Sequence, residues 1–289
     1  MDKLKSMREF DDVAPQDAIS VSYRVLTYYI ADLPLRDDRV TMERPFFSLA
    51  KRRTKPINYK SPDGKLWVKV SAHQDHGMAT IWDADVLIWA ASQIAEAQRQ
   101  GRKPSRVLAF KAADLLRAIG RADPKTGAVP GTRYEELRAA LKRLQSTVIS
   151  TNIRVPKGNR ERLMEAGFSW IDDWRYVTIQ GNPDIIEIEL SRWVFEGMVE
   201  AGQLLAIDPA YFGIDGGFER ALYCIARKHC GRQETFRIGL DVLCDKTGTD
   251  AKLFEFRRKV KGITKRDALP GYHIAYDEGS DMVVFAPRT

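Results

Sequence analysis

Cysteine and histidine are scarce in this chain of 289 residues, which holds three of the first and four of the second. Cys224, Cys230 and Cys244 are odd in number and crowded towards the C-terminus, so they make no disulfide framework. Cys224 and Cys244 fall in apolar periodic stretches and read as buried free thiols, which fits a reducing cytoplasm. Cys224, His229 and Cys230 lack the paired CxxC spacing of a structural zinc site. His73, Asp75 and His76, in HQDH, have no third histidine nearby and lack the HEXXH spacing, so they read as a polar loop. No metal and no cofactor is expected.

Other signatures are missing too. There is no GxxxxGK[ST] loop for nucleotide phosphates, no GxGxxG after a strand and no GxSxG elbow. A nicking enzyme of the rolling-circle type would need a His-apolar-His metal pair beside a tyrosine nucleophile. Tyrosines are present, but that histidine pair is not. The sequence makes no case for an enzyme. A secretory signal is not expected either. The apolar run ISVSYRVLTYYI at 19–30 follows acidic residues, is broken by Arg24 and is too short to span a bilayer. It reads as a buried helix or strand.

What the chain does have is positive charge. A net charge of +7 and a pI near 9.2 favour a polyanionic partner, either nucleic acid or an acidic membrane surface. The charge is concentrated where helical periodicity is strongest. In GTRYEELRAALKRLQSTVISTNI, residues 131–153, Tyr134, Leu137, Leu141 and Leu144 mark one face of a helix that starts at Gly131 and Thr132, with Glu135 at capping-box spacing. Arg133, Arg138, Lys142 and Arg143 line the other face, and Thr147 to Ile153 follows as a strand. This suits the second helix and first wing strand of a winged helix-turn-helix, a unit whose helix enters the major groove. An ordinary amphipathic surface helix gives the same pattern.

Around that helix the order is repeated. Residues 80–98 read as a core helix capped by Thr80, Val107 to Phe110 as a strand, and Ala112 to Ile119 as a short helix ending at Gly120. Arg154, Lys157, Arg160 and Arg162 sit where a wing tip is expected, before strands at Phe168 to Ile179 and Ile185 to Leu190. Further on, Phe218 to His229 reads as a helix, Thr235 to Ile238 as a strand and Leu240 to Asp245 as a short helix. Ala251 to Arg266 is then a second cationic helix, and a hairpin closes the chain. In that helix Leu253, Phe256, Val260 and Ile263 form the expected buried stripe. Lys252, Arg257, Arg258, Lys259, Lys261, Lys265 and Arg266 crowd the remainder, with Arg257, Arg258 and Lys261 the leading candidates for groove or phosphate contact. Lys51, Arg52 and Arg53 form a third basic cluster that reads equally as a phosphate contact or a solvated loop. The expected fold class is α+β: two tandem winged helix-turn-helix domains from an old duplication. The boundaries are an N-terminal segment 1–42 packed on the first domain, a first domain at 43–205 and a second, the main DNA-reading one, at 206–289.

ERPFFSLAKRRTKPINYK at 43–60, HGMATIWDADVLIWAASQIA at 76–95 and GFSWIDDWR at 167–175 resemble the plasmid replication initiator protein A family, and the resemblance covers nearly the whole chain. It implies tandem winged helices that bind repeated double-stranded sites (iterons) at a plasmid origin. It also implies help in melting adjacent DNA, recruitment of the host initiator and replicative helicase, and a homodimer, held through the first domain, that represses the initiator's own promoter. No membrane partner is implied. The alternatives are a winged-helix transcriptional regulator, a DNA-nicking enzyme and a protein whose basic faces bind acidic lipid.

Overall fold

A computed structural model describes residues 33–153, 165–179, 182–200, 202–231 and 233–288. The expected element at 19–30 lies outside them. Strand β1 (Arg36–Asp38) leads into a short helix α1 (Arg39–Glu43), where the Asp38 carboxylate accepts from the Val40 and Thr41 amides. The hairpin of β2 (Ile57–Lys60) and β3 (Trp67–Ser71) pairs Ile57 with Val70 and Tyr59 with Val68, closing through the Ser-Pro-Asp-Gly turn as its sequence predicts. Those four side chains face inward while Asn58 and Lys69 face water.

Helix α2 (Ala84–Arg99) is buried over most of its girth. Thr80 and Asp83 cap its start reciprocally, each side chain accepting from the other's amide, so the helix begins a few residues later than its periodicity suggests. Strand β4 (Val107–Lys111) and helix α3 (Ala112–Ala118) follow, and Gly120, at φ 69°, turns the chain. Helix α4 (Gly131–Ser146) starts at the expected residue, but after Pro130 and without a side-chain cap, so Glu135 makes no capping box. Leu137, Leu141 and Leu144 are buried, and Tyr134 packs against the same core.

Beyond α4 the structure departs from the expected wing. Strand β5 (Val148–Thr151) pairs with β3, placing Ile149 opposite Val70, and β6 (Ala166–Phe168) joins it in a separate sheet of order β2-β3-β5-β6. The first wing is instead the hairpin of β7 (Ile171–Ile179) and β8 (Asn182–Leu190), with β8 central in the order β4-β8-β7. Inward-facing Ile149 and Thr151 find their buried partners on β3, a strand far upstream, and no local pattern announces that pairing. Arg154, Lys157, Arg160 and Arg162 lie outside the described residues. Helix α5 (Arg192–Val199) and strand β9 (Leu204–Ala206), which pairs with β1, end this half.

A 3₁₀ turn at Pro209–Gly213 leads to α6 (Gly217–Cys230), β10 (Phe236–Gly239), α7 (Leu240–Thr247), α8 (Leu253–Arg266), β11 (Tyr272–Asp277) and β12 (Met282–Pro287). Their sheet runs β10-β12-β11. Both halves therefore have helix, strand, two helices and a hairpin, with the first strand paired to the last. The fold is α+β, two winged helix-turn-helix units in tandem. Among the described residues no helix is long and apolar enough to cross a membrane.

Each unit has its own core. The first gathers an aromatic nest in which Phe47 stacks on Trp170 at 4.3 Å and Phe168 on Trp193 at 4.3 Å. The second centres on Leu222, Phe256, Val260, Val283 and Phe285. Leu35, Met42 and Ile88 belong to this second core while Val40 packs on the first, so residues 35–42 touch both cores, and α2 reaches into the second.

Candidate nucleic-acid interface

The two cationic helices occupy the same place in their units, following the short helix and preceding the wing hairpin, which is the place of a recognition helix. On α8, Phe256, Val260 and Ile263 turn inward and fix the helix on its core. Lys252, Arg258 and Lys265 are exposed. Arg257 is tied to the wing, where Nη2 donates to Asp281 Oδ2 at 2.8 Å and Nε to Tyr276 Oη at 3.1 Å. Lys261 meets Glu278 at 2.8 Å and lies over the Tyr276 ring, and Arg266 meets Glu219 at 2.8 Å. The second wing turn is thus acidic, with Asp277, Glu278 and Asp281, and it engages two of the expected DNA contacts internally. Of those three candidates Arg258 alone has no ion pair with the wing, while Arg257 braces helix against wing.

Leu253 leaves its expected place in the buried stripe. It is 38% exposed and Phe254 beside it 63% exposed, because the first turn of α8 projects past the core. Sequence periodicity gave no role to Phe254.

On α4, Arg138 and Lys142 are exposed, and the Arg138 guanidinium lies 4.8 Å from the centre of the Tyr176 ring on the wing. Arg133 pairs with Glu136 at 2.7 Å on the helix surface. Arg143 departs from the outward face assigned to it. Its Nε and Nη2 donate to the two Asp83 carboxylate oxygens, each at 2.7 Å, binding α4 to the start of α2. The Asp83 hydrogen bond raises the Arg143 pKa above its ordinary value.

The basic loop before β2 divides as well. Lys51 and Arg52 are exposed, with Lys51 near the Trp82 ring. Arg53 turns away from solvent and crosses to the second unit, donating to Gly248 O at 2.6 Å and Asp250 Oδ1 at 2.8 Å. It acts as a strut between units.

Two further clusters fix the units against each other. Arg220 on α6 donates to Asp85 on α2 at 2.6 Å, both fully buried, and Arg121 donates to the other Asp85 oxygen at 2.9 Å. Burial pushes the Asp85 carboxyl up, against the pull of the two guanidiniums. Glu43 on α1 meets Lys246 at 2.9 Å and Lys228 at 3.4 Å. Burial would raise its carboxyl, but the Lys246 hydrogen bond, with Arg44 and Lys228, outweighs it and holds the pKa at about 2. His229, beside this group and stacked on Phe236, is pushed by burial down to about 4.

Among the described residues no group of His, Cys, Asp and Glu has the arrangement of a metal site. His73 and His76 stack on each other at 4.8 Å in a tight turn closed by Gly77. Cys224 and Cys230 are buried and Cys244 is half-buried, all three as free thiols.

Comparison with known proteins agrees with this architecture. Domains 2 and 3 of RctB, in two crystal structures, superpose with TM-scores of 0.59 and 0.54 at 13% and 12% identity. These matches cover 86% of this chain and 96% and 97% of the RctB chains, a likeness of fold. A "Putative replication protein" of Wigglesworthia glossinidia brevipalpis is 32% identical over 273 residues, 92% of this chain and 94% of its own. The family model described as Replication initiator protein A matches residues 36–274, and the chain belongs to that family.

Proposed function

We propose that this replication initiator works by gripping double-stranded DNA at repeated origin sites with α4 and α8, and has no catalytic step of its own. The observation that carries this reading is the exposed positive charge of α8 and its N-cap, where Lys252, Arg258 and Lys265 form no ion pair with the acidic wing. Arg258, Lys261 and Lys265 follow at three- and four-residue steps, where like charges repel, and a polyanion relieves the repulsion. Bound in this way, the protein helps open the neighbouring duplex and recruits the host initiator and replicative helicase, as the family resemblance implies. The resemblance also implies a homodimer through the first unit that represses the initiator's own promoter. The exposure of Val107 (40%) on the open edge strand β4 favours that surface.

Footprinting the purified protein on the DNA flanking its own gene tests the reading. Protection of several direct repeats, phased by whole helical turns, is the expected result. Protection of a single inverted repeat over the promoter would make the protein a transcriptional regulator instead. Relaxation of supercoiled plasmid in the presence of divalent metal would overturn the non-catalytic part.

A further inference from the structure

Among the described residues, the large hydrophobic side chains that face solvent are Val107, Val148, Leu253 and Phe254, and Phe254 is the most exposed. It is the second residue of α8. The buried residues Phe256, Val260 and Ile263 define the inward side of that helix. Phe254, Arg258, Lys261 and Lys265 recur at four-, three- and four-residue intervals, so they share one face, opposite the core. An aromatic ring therefore stands in water at the head of a cationic stripe. It adds nothing to the core of its own unit, and a merely solvated helix gains nothing from it.

The surroundings restrict what can cover the ring. Flanking cations repel a basic partner and attract a polyanion. A phenyl group neither hydrogen-bonds nor neutralises phosphate, so on DNA its complement is an apolar part of a base. In the major groove that part is the 5-methyl group of thymine. Residues at the start of a recognition helix are the ones that meet base edges. We infer that Phe254, with Leu253 beside it, is a specificity-determining contact that reads thymine methyl groups, while Arg258 and Lys265 hold the phosphates. This rests on the duplex binding through α8 proposed above.

The test uses the full chain. Preferred duplexes are selected from a random-sequence pool, and each thymine is then replaced singly by uracil, which removes the methyl and leaves every hydrogen-bonding group in place. At one or two positions uracil weakens binding of the wild-type protein by about fourfold, the worth of one buried methyl. F254A, whose melting temperature stays that of wild type because the site is exposed, binds the thymine and uracil duplexes equally there. F254L keeps part of the difference. If R258A weakens binding but uracil has no effect at any position, or if F254A keeps the full uracil penalty, the role of Phe254 is overturned while DNA binding by α8 stands. If selection enriches no sequence, both are overturned.

Discussion

Arg220 Nη1 lies 2.6 Å from Asp85 Oδ1, joining α6 of the second unit to α2 of the first in a site closed to water. The guanidinium also donates to the Ile214 and Phe212 carbonyls at 2.8 and 3.1 Å and lies 4.7 Å from the Tyr211 ring centre, so its charge is well matched. Burying such a pair costs desolvation, and breaking it costs more, since one charge stays buried without its partner. Arg220→Met should lower stability by about 3–5 kcal/mol. Adding Asp85→Leu to that variant should not restore it fully, because Arg121 then loses its own carboxylate. Urea unfolding of the single and double variants measures both effects.

The Glu43–His229 cluster predicts how stability follows pH. His229 titrates at about 4 in the folded chain, below its ordinary 6.5, so the unfolded chain takes up the proton first. Its effect is absent above pH 6.5, and stability falls as pH drops from 6.5 towards 4, by on the order of 1–2 kcal/mol once its partial exposure is discounted. Glu43, at about 2 against 4.5, contributes stability that is present above 4.5 and lost as pH falls from 4.5 towards 2. His229→Phe, which keeps a ring on Phe236, should flatten the upper window alone; Glu43→Gln should remove the lower one. Melting temperatures between pH 8 and 3 would show both.

Two glycines sit where the units are packed tightly together. A Cβ at Gly217 would lie 2.4 Å from Leu49 O, and one at Gly248 would lie 2.4 Å from Pro45 Cβ, where φ is already +62°. Gly217→Ala and Gly248→Ala should each cost on the order of 1–3 kcal/mol. The two units should then separate more readily under limited proteolysis, cutting near residues 202–216.

The basic residues of α4 should fall into two classes. Lys142→Ala should leave the melting temperature unchanged and reduce the salt dependence of DNA binding by about one unit of slope. Arg143→Ala, which strands the buried Asp83, should lower stability by about 3 kcal/mol or more. Binding titrations across salt concentrations, beside thermal melts, separate the two. An unaltered slope for Lys142→Ala would mean that this residue faces only water.

That division shows where the sequence is legible. Leu137, Leu141 and Leu144, or Val260 and Ile263, declare their helices because a buried stripe needs only local spacing. The hairpin at 57–71 declares itself through its turn. Partners distant in sequence are not declared. Arg143 reads the same whether it meets Asp83, sixty residues away, or a phosphate, and the same holds for Arg53 and Asp250. Nor does β5 announce that it joins β3 instead of the wing. The motifs ERPFF and GFSW, which carry the family resemblance, supply Phe46, Phe47, Phe168 and Trp170 to one aromatic nest. They are recognisable because they build the first core, and they say nothing about which bases are read.

The struts between the units, Arg220 to Asp85, Arg53 to Gly248 and Asp250, and Glu43 to Lys246 and Lys228, do more than stabilise. With the halves locked, α4 and α8 are fixed like the jaws of a caliper, so the duplex grip proposed above would measure distance along the DNA as well as read its letters. One base pair inserted between the two contacted segments would turn one of them about a tenth of a revolution away from its helix. A jointed protein would follow that turn; this one would have to let go with one jaw.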